Sequence, residues 1–351
     1  MKNILFAINT EYHVFVVNSL IKQMFHDKTK YDVTVLLQVN KAGSRFKAEP
    51  LKFEHLDARV VILEIDLNSK KYDPVVKGTL DEILTKEYEK LIIFLEQVPV
   101  NQYLINKLSP KGTTICVAPE GTKPYISIAK MALPSRIKAI IRNYKFLKTQ
   151  KLSVNKLYMV SNKNGYLKET DEVWINHPDA YENITCKKVV PIELYTSKEE
   201  AEAASKIFNL DIAKELPETD GILFYLNQWY VEYKVYDFEI ELLEKLLAKY
   251  PTKKIYIKMH PNTHKFQVER LEKMDRVILN KSTVPAELFI AHLTNSIVFS
   301  FWSASLLINN ANCRFYWLHK LIQQRKLMDW WSIVNPTKHI NEVIDIEEVN
   351  F

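Results

Sequence analysis

Short apolar runs bounded by charge recur along this chain, each followed by a helical segment, and that alternation leaves few folds open. Asn3 to Ile8 is one such run, and Val14, Val17, Leu20, Ile21 and Met24 follow it at helical spacing. VTVLLQV (Val33 to Val39) and VVILEI (Val60 to Ile65) read as strands, with a helix over 74–89. LIIFLE (Leu91 to Glu96) is apolar on both alternating faces, as a strand buried on both sides must be. A helix through Tyr103 and Leu108 then leads to TTICVA. Strands separated by helices of this length specify a parallel sheet covered by helices, so the first part of the chain is an open α/β domain. Ligands of such sheets gather where strands end, which draws attention to Pro119, Glu120 and Gly121 after TTICVA.

The same alternation restarts near residue 221. GILFYL, a helix over 236–249, KIYIKM, a helix over 264–274, VIL, a helix over 285–292, SIVFS, a helix over 304–310 and CRFYWL follow in order. The sequence therefore predicts an α/β fold of two Rossmann-like domains facing a central cleft. The first covers 1–195. A linker covers 196–220, and the second domain covers 221–351, its last helix expected to pack back on the first. At 351 residues the chain is long enough for two such domains.

Several chemistries are disfavoured. Three cysteines show no CxxC spacing, which argues against a disulfide scaffold or structural zinc and favours a reducing compartment. The nine histidines include no HExxH, and the six glycines form neither GxGxxG nor GxxxxGK[ST]. No export signal and no membrane-spanning stretch is read, so the expected location is cytoplasmic, peripheral on the inner membrane if membrane-associated. The net charge of +6 is uneven: ten Lys or Arg and no acid lie between Lys130 and Lys168. Within that span Ile137, Ile140, Ile141, Tyr144 and Leu147 share one helical face with cations around the rest. Residues 134–168 are thus a candidate contact for an anionic membrane surface or acceptor, against the plainer reading of a helix packed on the sheet. No motif supports nucleic acid as a partner.

Three strand ends carry candidate chemistry. His260 and Pro261 follow KIYIKM, where an imidazole can meet a phosphate oxygen or merely cap the strand. Ser303 and Ser305 follow SIVFS, with hydroxyls that can surround an anion or simply cap a helix. Glu120 offers a carboxylate to take a proton from a sugar hydroxyl, and Gly121 a tight turn beside it.

In order and spacing these residues resemble a known family. Glu120 with Gly121, the pair His260 and Pro261, the turn with Ser303 and Ser305, the segment PAELFIAHL (Pro285 to Leu293) and the opening NILFAINTEYHVF are similar to bacterial sialyltransferases of the two-Rossmann-domain (GT-B) type, near the lipooligosaccharide sialyltransferases and capsule polysialyltransferases. The resemblance implies an inverting transfer of sialic acid from CMP-sialic acid to a glycan or glycolipid acceptor, with no metal and no cofactor. By it Glu120 is the general base, His260 binds the CMP phosphate and assists its departure, and Ser303 and Ser305 hold phosphate or the sugar carboxylate, which makes 1–195 the acceptor and base domain and 221–351 the nucleotide-sugar domain. This chain departs from the pattern in two places: the acidic pair before Gly is Pro119-Glu120, and the serine pair is Ser-Ala-Ser. Alternatives left open are a transferase for another CMP-linked ulosonic acid, one for a CDP-linked polyol phosphate, and a non-catalytic membrane-associated glycan-assembly protein.

Overall fold

The computed structural model describes residues 1–41, 51–127, 133–159, 161, 164–181, 187–194, 198–230, 232–327, 332–333 and 337–351. The chain forms two compact units, Met1–Leu194 and Tyr195–Phe351.

The strands of the first unit are β1 (Lys2–Ile8), β2 (Tyr31–Asn40), β3 (Arg59–Ile65), β4 (Lys90–Ile93), β5 (Thr114–Val117), the two-residue β6 (Ile126–Ser127), β7 (Glu172–Ile175) and β8 (Lys188–Pro191). Seven of them make one sheet in the order β3-β2-β1-β4-β5-β7-β8, every pairing parallel. Its helices are α1 (Glu11–Met24), α2 (Pro74–Ile83), α3 (Pro99–Leu108) and α4 (Leu133–Thr149). The central strands are apolar on both faces because helices cover both: Leu5, Ala7, Leu91, Ile93, Ile115 and Val117 point into one core with α2 and α3. α2 stops at Ile83, short of the expected 89, because Thr85 turns its hydroxyl back onto the Glu82 carbonyl and Glu89 N–H already pairs with Asn3 O at the sheet.

The second unit holds α5 (Lys198–Ile207), α6 (Ile212–Glu215), β9 (Leu223–Leu226), α7 (Tyr233–Lys249), β10 (Ile255–Lys258), α8 (Lys265–Glu272), β11 (Val277–Asn280), α9 (Ala286–Ile290), β12 (Ser296–Ser300), β13 (Cys313–Trp317), α10 (His319–Gln324), the two-residue β14 (Ser332–Ile333) and β15 (Ile340–Glu342). Its six-stranded parallel sheet runs β11-β10-β9-β12-β13-β15. Both sheets thus reverse direction of winding beside their first strand, between β1 and β4 and between β9 and β12, the crevice where doubly wound sheets bind ligands. Two parallel sheets flanked by helices are the Rossmann-like pair expected from the alternation.

Four expectations are corrected. The segment 196–220 is more than a linker: α5 buries Ala201, Ala204 and Ile207 and packs on α9 of the second unit. The last described helix, α10, buries Leu321 and Ile322 in the second unit's own core. The chain end stays there too, with Tyr250 and Tyr316 hydroxyls donating to the Val349 and Asn350 carbonyls and Phe351 edge-on to Tyr250. The helix expected over 304–310 is a single 3-10 turn, Ala304–Leu307, because the backbone is already extended at Ile308. In α4 the buried face is Asn143, Phe146 and Leu147, whereas Ile137, Ile141 and Tyr144, expected on it, are exposed. Asn143 earns its place inside by donating to Gln97 O at 2.8 Å.

Candidate functional site

In the first unit the site grows from the ends of β1, β4 and β5. Past Val117 the chain is held by Ala118 N–H to Ile93 O at 2.7 Å, so Ala118 and Pro119 stay buried and Glu120 is the first side chain to reach solvent. Gly121 follows with φ +59°, a left-handed conformation that costs a residue with a side chain about 1 kcal/mol or more and glycine very little. The expected tight turn is therefore there.

Opposite Glu120 stands a residue that the sequence reading passed over. His13 lies in the first turn of α1, fully buried, stacked on Phe94 with ring centroids 4.0 Å apart and planes 13° from parallel. Its own N–H is capped by Thr10 Oγ1 at 3.2 Å, and its Nδ1 accepts Asn9 N–H at 3.1 Å. A neutral imidazole that accepts at Nδ1 carries its proton on Nε2. That Nε2 faces Glu120 Oε1 at 3.9 Å, beyond hydrogen-bond length but within strong electrostatic reach of a one-third-exposed carboxylate. The signal was present in the opening NILFAINTEYHVF: a Thr cap three residues before a His, directly after the central strand of an α/β unit.

In the second unit three adjacent strand ends contribute. β10 ends at Lys258; Met259 continues the sheet through Asn280 O, and His260 turns away. His260 Nδ1 accepts Asn262 N–H at 3.1 Å, so its neutral ring too is protonated on Nε2, the atom suited to donate to an anionic oxygen. The turn itself is anchored from the neighbouring strand β9 by Asn227, whose Oδ1 accepts His260 N–H at 3.3 Å and the Thr263 hydroxyl.

Asn227 cannot flip, because its Nδ2 donates at 2.8 Å to Glu239 of α7, a group that only accepts when ionised. Glu239 is wholly buried and gathers four donors: the Tyr225 and Tyr230 hydroxyls at 2.6 and 3.0 Å, Asn227, and Gln267 Nε2 at 2.6 Å. Burial pushes its pKa up while those four donors pull it down, and burial wins. This strap from α7 through β9 to the His260 turn was not legible as a motif, since its members are spread from 225 to 267 and none is adjacent to another in a recognisable spacing.

The serine turn after β12 is more ordinary than expected. Ser300, buried, donates to Leu226 O at 2.7 Å and accepts Ser303 N–H. Ser303 caps the 3-10 turn by accepting Ser305 N–H at 3.3 Å, the plainer of the two readings. Ser305 bonds to the buried Glu287 of α9, whose carboxyl is raised by burial despite that bond and the nearby Lys258. Lys258 is itself nearly buried and donates to Ser282 O. Pro261 is exposed at the head of its turn. Each predicted residue follows the strand expected of it: Glu120 and Gly121 come after β5 in one unit, and in the other His260 and Pro261 come after β10 and Ser303 and Ser305 after β12, with β9 between those two strands.

Among the described residues no group of three or more His, Cys, Asp or Glu is arranged to hold a metal ion, and no helix is long and apolar enough to cross a membrane.

No curated protein matches this sequence significantly. Solved structures match its fold at low identity. A UDP-GlcNAc 2-epimerase from Methanocaldococcus jannaschii is 11% identical over 99% of this chain and 90% of its own, with a TM-score of 0.52. The corresponding epimerase from Neisseria meningitidis, solved with UDP-GlcNAc, is 11% identical over 87% and 79%, TM-score 0.52. The GT-B domain of a sialyltransferase from Photobacterium damselae is 11% identical over 91% of each chain, TM-score 0.52. A family model matches most of the chain, residues 4–313, and it is that of the alpha-2,8-polysialyltransferases. The protein accordingly belongs to the alpha-2,8-polysialyltransferase family, glycosyltransferases that use a CMP-linked sugar and are built on two Rossmann-like domains.

Proposed function

We propose that this enzyme moves sialic acid from CMP-sialic acid to a cell-surface glycan, a lipooligosaccharide or capsule chain, with inversion at the anomeric carbon. The observation that carries the reading is His260, whose turn is strapped to a buried network and whose neutral ring keeps its proton on Nε2. Such a group donates to an oxygen of the CMP phosphate and stabilises the charge that grows there as the glycosyl bond breaks. Ser303 and Ser305 belong to the same donor side, beyond β12, two strands from β10 in the same sheet.

Glu120 is the base in this reading. As the acceptor hydroxyl attacks the anomeric carbon, its proton passes to the Glu120 carboxylate, and CMP departs from the opposite face. His13 Nε2, 3.9 Å from Oε1, sets a partial positive charge beside the carboxylate that is to act as base. The mechanism demands that both groups act on one bound substrate. The described cysteines, Cys116 and Cys313, are free thiols, which supports work in the reducing cytoplasm.

Purified protein incubated separately with CMP-sialic acid and with CDP-glycerol, each with a lactose-terminated acceptor, and assayed for released CMP tests the donor. We expect turnover with the first. Turnover with CDP-glycerol alone overturns the assignment.

A further inference from the structure

We infer that α4 is a membrane-docking helix that seats the first unit on an anionic lipid surface through its outward face. The inference reaches beyond the donor and acceptor chemistry and does not depend on which sugar is transferred. α4 has two apolar faces. The inner one, with Phe146 and Leu147, is buried in the unit's core. The outer one is left over: Leu133 is 61% exposed, Ile137 and Ile141 each 47%, and Tyr144 45%. Successive positions in a helix are about 100° apart, so these four fall within one stripe about 80° wide. Lys138, Arg142 and Lys145, all exposed, fall in the adjoining stripe, and the helix contains no acid.

That division argues for one partner. A polyanion in water needs only the cationic stripe and gains nothing from two isoleucines and a leucine beside it. A bilayer interface needs both, with apolar side chains entering below the headgroups and cations beside them meeting the phosphates. Solvent alone accounts for neither, because a helix packed on a sheet by one face ordinarily turns its polar residues outward. A lipid surface of negative charge is therefore the occupant that fits the whole outer face.

The experiment is co-sedimentation of the full chain with vesicles of phosphatidylcholine alone and of phosphatidylcholine with phosphatidylglycerol at about 7:3, at low and high salt. We expect binding to the anionic vesicles that added salt weakens and does not abolish. Ile137→Ser with Ile141→Ser should lower the vesicle partition coefficient at least tenfold, and Lys138→Glu with Arg142→Glu likewise, with CMP release from the donor unchanged in both. These positions are half exposed, so the fold survives; thermal melting checks that it does, and a Tyr144→Trp variant whose emission shifts to the blue on anionic vesicles gives an independent reading. Absence of binding by the wild-type chain overturns the inference. So does binding that the isoleucine pair leaves intact and that soluble polysialic acid competes away, since that outcome identifies the face as a polyanion site.

Discussion

Glu120 and His13 stand 3.9 Å apart beyond the end of β5. A fully buried imidazole, stacked on Phe94 and held at Nδ1 by Asn9, brings its Nε2 to 3.9 Å from an acid that solvent still reaches. Glu120→Gln should lower the transfer rate about 10²- to 10⁴-fold and leave donor affinity unchanged, measured by single-turnover kinetics beside calorimetry. His13→Phe keeps the stack and removes the N–H; the pH profile of transfer should then lose its acid shoulder toward higher pH, because Glu120 ionises less readily. A profile that does not move argues that His13 only packs. Glu172 is a different kind of acid, a structural one. Burial raises it, and bonds from Lys188, Lys90 and Trp174 outweigh burial and hold it down to about 2. A carboxyl depressed in the folded chain stabilises it above the unfolded value near 4.5 and loses that contribution as pH falls toward 2. Urea midpoints should therefore decline over that window, and Glu172→Gln should flatten the decline. Glu120 and Gly121 were legible in the sequence because strand periodicity fixes where a strand ends, and glycine is the residue that adopts the left-handed backbone there at least cost. His13 was legible only in part: the Thr10 cap places it in a first turn after the central strand, but its approach to Glu120 depends on a strand end more than a hundred residues further on.

The turn that bears His260 is short, yet it is held from three elements. The residue after β9 is Asn227, α7 supplies Glu239, and α8 supplies Gln267, so that the imidazole stands at the end of a chain of hydrogen-bonded buried groups. Asn227→Leu removes one donor from Glu239 and the acceptor of His260 N–H, each a loss of about 1 to 3 kcal/mol when buried. We expect a lower melting temperature together with a KM for the donor raised at least tenfold. A drop in melting temperature with KM unchanged would show that the strap serves only the core. Elements of this kind expose the limits of pattern reading. The leucines of α7 announce a helix on a sheet, and they are buried as that pattern requires. The burial of Glu239 on the same helix is set by partners far along the chain, which no local period records. α4 makes the converse point: its apolar positions were read as one face, but the tilt that lets Asn143 reach Gln97 turns three of them outward.

Across the whole molecule the two groups of the proposed mechanism fall in separate units. Glu120 belongs to one compact unit and His260 to the other, each built on its own core. In a double-mutant cycle on donor affinity, Glu120→Ala and His260→Ala should therefore be additive within about 0.5 kcal/mol, with nearly all of the loss due to His260. On the transfer rate the proposed mechanism requires the same pair to be far from additive, and additivity there would overturn it. The two-sheet architecture was plain from the alternation of runs, since burial on both faces of a strand leaves an unmistakable apolar word. The seam between the units was less plain: α5 is rich in Ala and Glu and reads as a tether, and only its contacts with α9 assign it to the second unit. The phenols of Tyr225 and Tyr230 carry a last consequence. Sealed beside Glu239, both are held far above the ordinary phenol range, chiefly by burial. In an alkaline titration followed in the near ultraviolet they stay dark while surface tyrosines ionise, and brighten together when the second unit opens, so the protein carries its own optical gauge of that lobe's integrity.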